Sequence, residues 1–203
     1  NSMKSKQTIL DSITDFESAA WELPPRVTFG ITYDDPIAQF SKILKTVGGT
    51  AIRVPNTQAL LEELATLDFL APASNIYSAI PEFLPSTVDL AHTDTPQQLH
   101  DLDVALVRGE LAVAENGAVW VTDELLRHRV VLFIAEHVIL IVSVASVLQN
   151  LHEAYEQLSF GKPQYGVFIS GPSKTADIEQ SLVFGAQGPR TLTVFLLDEE
   201  PAA

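Results

Sequence analysis

No cysteine occurs anywhere in the 203 residues. That absence removes disulfides, thiol nucleophiles and cysteine-ligated zinc or iron–sulfur centres from this chain. Positive charge is scarce as well. Twelve lysines and arginines stand against 26 aspartates and glutamates, a formal net charge of −14. Nucleic acids and anionic membranes require a basic footprint, so neither is an expected partner. A small anionic ligand stays open, because a local cationic pocket can sit on an acidic surface. The most apolar region, residues 130–148, is interrupted by Glu136 and His137 and does not read as a membrane span. No basic start followed by an apolar core marks a secretory signal, and with the missing cysteine this fits a cytoplasmic protein. Neither GxGxxG nor GxxxxGK followed by serine or threonine occurs, which disfavours nucleotide hydrolysis and a standard dinucleotide site.

What is present is a well-buried globular pattern, 46% apolar, with no internal repeat and no low-complexity linker. The length suits one α/β core with a small helical appendage. Residues 4–20 place Ile9, Leu10, Ile13, Phe16 and Ala20 at helical spacing until Pro24 and Pro25 stop the helix. The chain therefore divides into an N-terminal helical arm, 1–24, and an α/β domain, 25–203. The arm either covers its own core or packs on a partner.

Within the domain, Pro36 opens a helix capped by Asp34 or Asp35, with Ile37, Phe40, Ile43, Leu44 and Val47 inward until Gly48-Gly49. A strand at 50–54 and a helix from Thr57, carrying Leu60, Leu61 and Leu64, continue the alternation of a layered sheet. Weaker strands are expected at 69–71 and 76–80. Residues 104–107 and 110–114 read as a bent strand pair broken at Gly109, and Asn116-Gly117 as a tight turn into a strand at 118–121. The pattern predicts strands at 130–134 and 138–142, a helix over 143–158, a strand at 165–169, a helix from about Thr175 and a last strand at 191–197.

The corner at Ser170-Gly171-Pro172-Ser173 is the strongest candidate site. A strand, a tight turn and a helix N-terminus within some ten residues would gather backbone N–H groups around an anion. Gly171 permits the turn, Ser173 or Thr175 can cap, Lys174 adds mobile positive charge, and Arg190 offers a planar fork for a carboxylate or phosphate. The alternative is a structural corner in which the hydroxyls only cap and Asp177 pairs with Arg190. The five histidines show no metal-ligand spacing. His137 beside Glu136 is either an acid–base pair or a strand junction.

Two stretches together resemble the C-terminal signature of the LUD-domain family. They are Gly171-Pro172-Ser173-Lys174-Thr175-Ala176-Asp177-Ile178-Glu179 and Gly185-Ala186-Gln187-Gly188-Pro189-Arg190. Residues 102–121, with Gly109 and the turn Ala114-Glu115-Asn116-Gly117, resemble that family's central segment. The resemblance implies a three-layer α/β/α fold with a mixed, mostly parallel central sheet, as in sugar-phosphate isomerases and CoA transferases. It also implies a cytoplasmic role in oxidising L-lactate to pyruvate beside partner subunits that carry iron–sulfur clusters, this chain holding no cofactor or metal. The ligand set expected from it and from the residues is Gly171, Ser173, Lys174, Thr175, Asp177 and Arg190, with Asn116 and Arg129 alongside. Glu115-Asn116-Gly117 further resembles the Glu-Asn-Gly of class I CoA transferases, whose glutamate attacks a thioester. Glu115 is thereby a candidate nucleophile, although Ala114 stands where that motif has serine and no Gly-Gly-rich oxyanion loop is found.

Overall fold

Most of the strongly apolar runs become one parallel sheet, because a strand covered on both faces has no polar side to display. The computed structural model describes residues 6, 8–12, 30–124, 126, 128–158, 165–175 and 183–199. Of the N-terminal arm, residues 6 and 8–12 are described; they are helical and exposed, and the rest of residues 1–24 lies outside the described set.

Helix α1 is Pro36–Thr46, opened by the Asp35 carboxylate, which accepts the Ala38 N–H at 2.9 Å. Strand β1 (Thr50–Val54) and helix α2 (Thr57–Ala65) follow, the latter capped by Asn56 accepting the Ala59 N–H at 2.9 Å. Then come β2 (Ile76–Ser78), β3 (Val104–Arg108), β4 (Leu111–Val113), β5 (Ala118–Thr122), a short helix α3 (Val131–Ile134) and β6 (His137–Ser143). The chain continues with β7 (Val147–Leu148), α4 (Leu151–Gln157), β8 (Gly166–Ile169), β9 (Lys174–Thr175), β10 (Val183–Phe184) and β11 (Thr191–Leu197).

The central sheet has the order β1-β11-β6-β3-β2, and each of its pairings is parallel. Alternation along β6 divides the core in two. Val138, Leu140 and Val142 face Phe40 and Leu44 of α1 and the residues Ala112 and Val119 of a second sheet. Ile139 and Ile141 face Leu60 and Leu64 of α2 and the loop side chains Ile80 and Phe83. One face is thus covered by a helix and loops, the other by α1 and a small sheet of order β7-β4-β5-β8. Gly109 lets the chain leave one sheet for the other: a methyl group there would lie 2.3 Å from Val119 Cγ1 and 2.7 Å from Val142 Cγ2. Among the described residues no helix is long and apolar enough to cross a membrane.

The α/β class and the mostly parallel sheet agree with expectation, and four local expectations are corrected. Residues 69–71 form a turn, not a strand. Residues 131–134 are helical, because Val131, Leu132 and Ala135 bury at helical spacing while Phe133 points out. The helix expected over 143–158 starts only at Leu151. Ser143 ends β6, a short turn follows, and Val147–Leu148 pair in parallel with β4 before Asn150 caps α4. The helix expected from Thr175 does not begin there either: Lys174 and Thr175 are extended and pair antiparallel with Phe184 and Val183. Residues 176–182, including Asp177, lie outside the described residues.

Candidate functional site

The corner at 170–175 leaves the end of β8 and turns at Gly171, whose φ is +74°. Its close approach is to the chain itself. A methyl group at Gly171 would lie 2.5 Å from the Val47 carbonyl oxygen and 3.3 Å from Lys174 Nζ. Val47 is the C-terminal cap of α1. The helix end at this corner is therefore a carbonyl end, which favours a cation such as the Lys174 ammonium and opposes an anion. Sequence reasoning saw the turn and the hydroxyls, but it had no means of seeing which helix end the fold would bring against them.

Ser173 ties this corner to the 183–190 segment. Its N–H donates to Pro189 O at 2.9 Å, its carbonyl accepts from Gly185 N at 3.0 Å, and its hydroxyl donates to Gln187 O. Lys174 is exposed and Thr175 half-buried. Gly171, Ser173, Lys174, Thr175 and Arg190 thus belong to one cluster. It sits at the edge where the parallel strands begin, not at the carboxyl ends where open α/β sheets usually bind ligands.

Arg190 immediately precedes β11, and its Nη1 lies 2.6 Å from Glu136 Oε1, immediately before β6. Its backbone N–H also donates to Glu136 O at 2.8 Å. Beside the pair is a shallow cavity of about 270 Å³, lined by His100, Asp101, Asp103, Glu136, Gly185, Gly188 and Arg190 among others. Carboxylates outnumber the cation there. His137 opens β6 as a structural junction: Nδ1 lies 2.9 Å from Thr191 Oγ1, and its ring stacks on Phe69 at 4.2 Å between centroids. Burial holds its pKa below the ordinary 6.5, the Glu136 charge works upward, Arg190 downward and Asp103 upward.

The other expected residues have separate surroundings. Asn116 lies near the corner, since its carbonyl accepts the Ser170 hydroxyl at 2.8 Å while its Oδ1 accepts the Ala118 N–H at 3.1 Å. Glu115 Oε2 accepts the Leu151 N–H at 3.0 Å and so serves the N-terminus of α4. Arg129 is at the far end of β5, roughly 17 Å along five strand residues. It pairs with Asp123 at 2.7 Å and lies over the Tyr165 ring. Sequence reasoning missed Gln149 and Asn150. Gln149 Oε1 accepts the Tyr33 N–H at 2.7 Å, and buried Asn150 holds Ile31 O and caps α4 together. Asn150 followed by an apolar helical pattern was a readable cap signal. Among the described residues no group of three or more histidines, aspartates and glutamates is placed to hold a metal ion.

These features define a parallel α/β domain whose second sheet packs on one face, with a loop cluster gathered at the strand starts. The LUD domain model matches residues 68–197, more than half of the chain, and the chain belongs to the LUD-domain family. It is similar to lactate utilization protein C 1 of Bacillus mycoides (strain KBAB4), at 31% identity over 104 residues, 48% of this chain and 44% of that protein. It is also similar to lactate utilization protein C of Geobacillus thermodenitrificans (strain NG80-2), at 34% identity over 93 residues, 43% of this chain and 39% of that protein. The matched stretches thus span less than half the length of these curated relatives. The crystal structure of a DUF162 family protein from Deinococcus radiodurans shares the fold, with a TM-score of 0.58 and 17% identity over 80% of this chain and 96% of that one.

Proposed function

We propose that this chain is a cluster-free component of a cytoplasmic L-lactate utilisation system, lactate being oxidised to pyruvate by partner subunits that carry iron–sulfur clusters. Its 170–190 region serves as a binding element and not as a centre of bond making. The names of the relatives support the system. The observation that carries the binding role is the internal engagement of the reactive groups. Ser173 holds Gln187, Arg190 holds Glu136, and Glu115 caps α4, so none is poised as a nucleophile or base. Lys174, exposed at the corner, supplies the positive charge through which a small anion such as L-lactate would be held there, against the opposing carbonyl end of α1.

The test is complementation of lactate-dependent growth with Lys174→Ala and Arg190→Ala, each checked for an unchanged melting temperature. The proposal expects both to impair growth, and normal growth with both would overturn it. Titration of the purified chain with L-lactate separates the two modes. Binding abolished by Lys174→Ala supports the anion, and impaired growth without lactate binding supports a protein contact.

A further inference from the structure

Among the described residues, strand β8 stands at an unguarded edge. In the small sheet of order β7-β4-β5-β8 it pairs with β5 on one side and with no described strand on the other. The Asp123 N–H donates to Tyr165 O at 3.1 Å, so residues 165, 167 and 169 turn their N–H and C=O groups toward β5. Those of Gly166 and Phe168 point outward. Edge strands are normally shortened, charged, interrupted by proline or covered, because a free ladder recruits another chain. The other edges here follow that rule. Ser86, Thr87 and Val88 close the outer side of β2 by bonding Ile76 and Ser78. Strand β1 carries Arg53, and β7 is two residues long. Residues 165–171, Tyr-Gly-Val-Phe-Ile-Ser-Gly, contain neither charge nor proline.

We infer that β8 is the interface of a homodimer, in which a second copy adds its own β8 antiparallel to this edge about a twofold axis at Val167. The register is self-complementary, as a twofold contact requires. Gly166 of each copy lies opposite the second copy's Phe168, and the outward N–H and C=O groups of both strands all find partners. The side chains fit the same register. Phe168 packs on Trp120 at 4.8 Å between ring centroids and on Tyr155 at 6.0 Å. A methyl group at Gly166 would lie 2.0 Å from Trp120 Cζ2, so the indole covers the glycine. The glycine leaves room opposite for a ring, and the second copy's Phe168 lands beside that indole. Tyr155, 55% exposed on α4, extends the apolar surface. Neither strand brings charge to the contact, so the −14 of each chain opposes association only from a distance, where salt screens it.

Because the chain has no cysteine, one introduced thiol reports the register. Val167→Cys puts two thiols on directly opposed residues whose Cα atoms are about 4.5 Å apart, within disulfide range. Oxidation with diamide is expected to give a covalent dimer from Val167→Cys and none from Thr66→Cys, exposed at the end of α2. Sedimentation velocity of the full chain between about 1 and 500 µM is expected to show a monomer–dimer equilibrium. It should tighten as salt is raised from ~0.05 to ~0.5 M. Amide exchange at Gly166 and Phe168 should slow about tenfold as the dimer fills. Phe168→Lys supplies the missing guard and is expected to weaken association at least about tenfold, whereas Phe168→Leu retains it. A monomer at every concentration overturns the inference, whether the Gly166 and Phe168 amides exchange freely or are protected by another part of the same chain. A dimer that Val167→Cys does not cross-link, or that a folded Phe168→Lys leaves unchanged, has its interface elsewhere and overturns it equally.

Discussion

Asn150 holds two parts of the domain together and supports a calculation. Its Oδ1 accepts the Glu153 N–H at 3.1 Å, its Nδ2 donates to Ile31 O at 3.2 Å, and the residue is only 2% exposed. Replacing it by alanine removes the cap of α4, a loss of about 1 kcal/mol. It also frees the Ile31 carbonyl, which stands beside an exposed side chain and can turn to water, so that loss is limited to roughly 0.5–1.5 kcal/mol. The expected total is about 1.5–2.5 kcal/mol. For a domain of this length that corresponds to a fall in melting temperature of roughly 3–10 °C. Denaturant unfolding followed by circular dichroism measures the free energy, and amide exchange at Tyr33 reports the local part, because Gln149 would still hold that N–H while the neighbouring tie from Asn150 to Ile31 is lost. Asn150→Asp keeps the acceptor, loses the donor and adds a charge beside Glu153; it should fall between the wild type and alanine. An Asn150→Ala change within 0.5 kcal/mol of wild type, with Tyr33 exchange unaltered, would refute the reasoning.

Two further expectations follow from the site. His137 is held neutral by burial, so its pKa is lower in the folded chain than in the unfolded one and the unfolded state binds more protons below about pH 6.5. This group therefore lowers stability as pH falls through 6.5 toward the folded value, and the loss is complete below it. The slope of unfolding free energy between pH 7 and 5 should flatten in His137→Gln, and an unchanged slope would count against the junction. For Glu115, incubation with an acyl-CoA panel followed by hydroxylamine should reveal no adduct. Glu115→Ala should cost about 1 kcal/mol of stability through the uncapped Leu151 N–H, whereas Glu115→Gln, which keeps an acceptor, should cost less. A hydroxylamine-sensitive adduct would revive transferase chemistry.

How much of this was legible depends on the range of the interactions involved. Asp35 and Pro36, Asn56 and Thr57, and the Asn116-Gly117 turn act within a few residues, so their helices and hairpin stand where the pattern put them. The apolar runs at 104–107, 138–142 and 191–197 likewise announced strands, which the structure buries on both faces. The run at 130–134 was ambiguous by nature, because five apolar residues suit a strand or a buried helical turn equally. Residues 143–158 misled because a strong helical stripe hid an internal cap at Asn150 and an edge strand needed by β4.

Composition and local motif by themselves determined an α/β domain without cysteine chemistry, and the LUD signature carried by residues 171–190. Only the tertiary structure decided what that signature faces. A hydroxyl-rich turn before a polar stretch satisfies the local rules for a helix start, yet Lys174–Thr175 are extended and pair antiparallel with Val183–Phe184. That pairing sets the corner against the carbonyl end of α1 and Arg190 against Glu136. The sign of the local field, and hence the kind of partner the surface can accept, comes from residues far apart in the chain, which no spacing within the motif encodes.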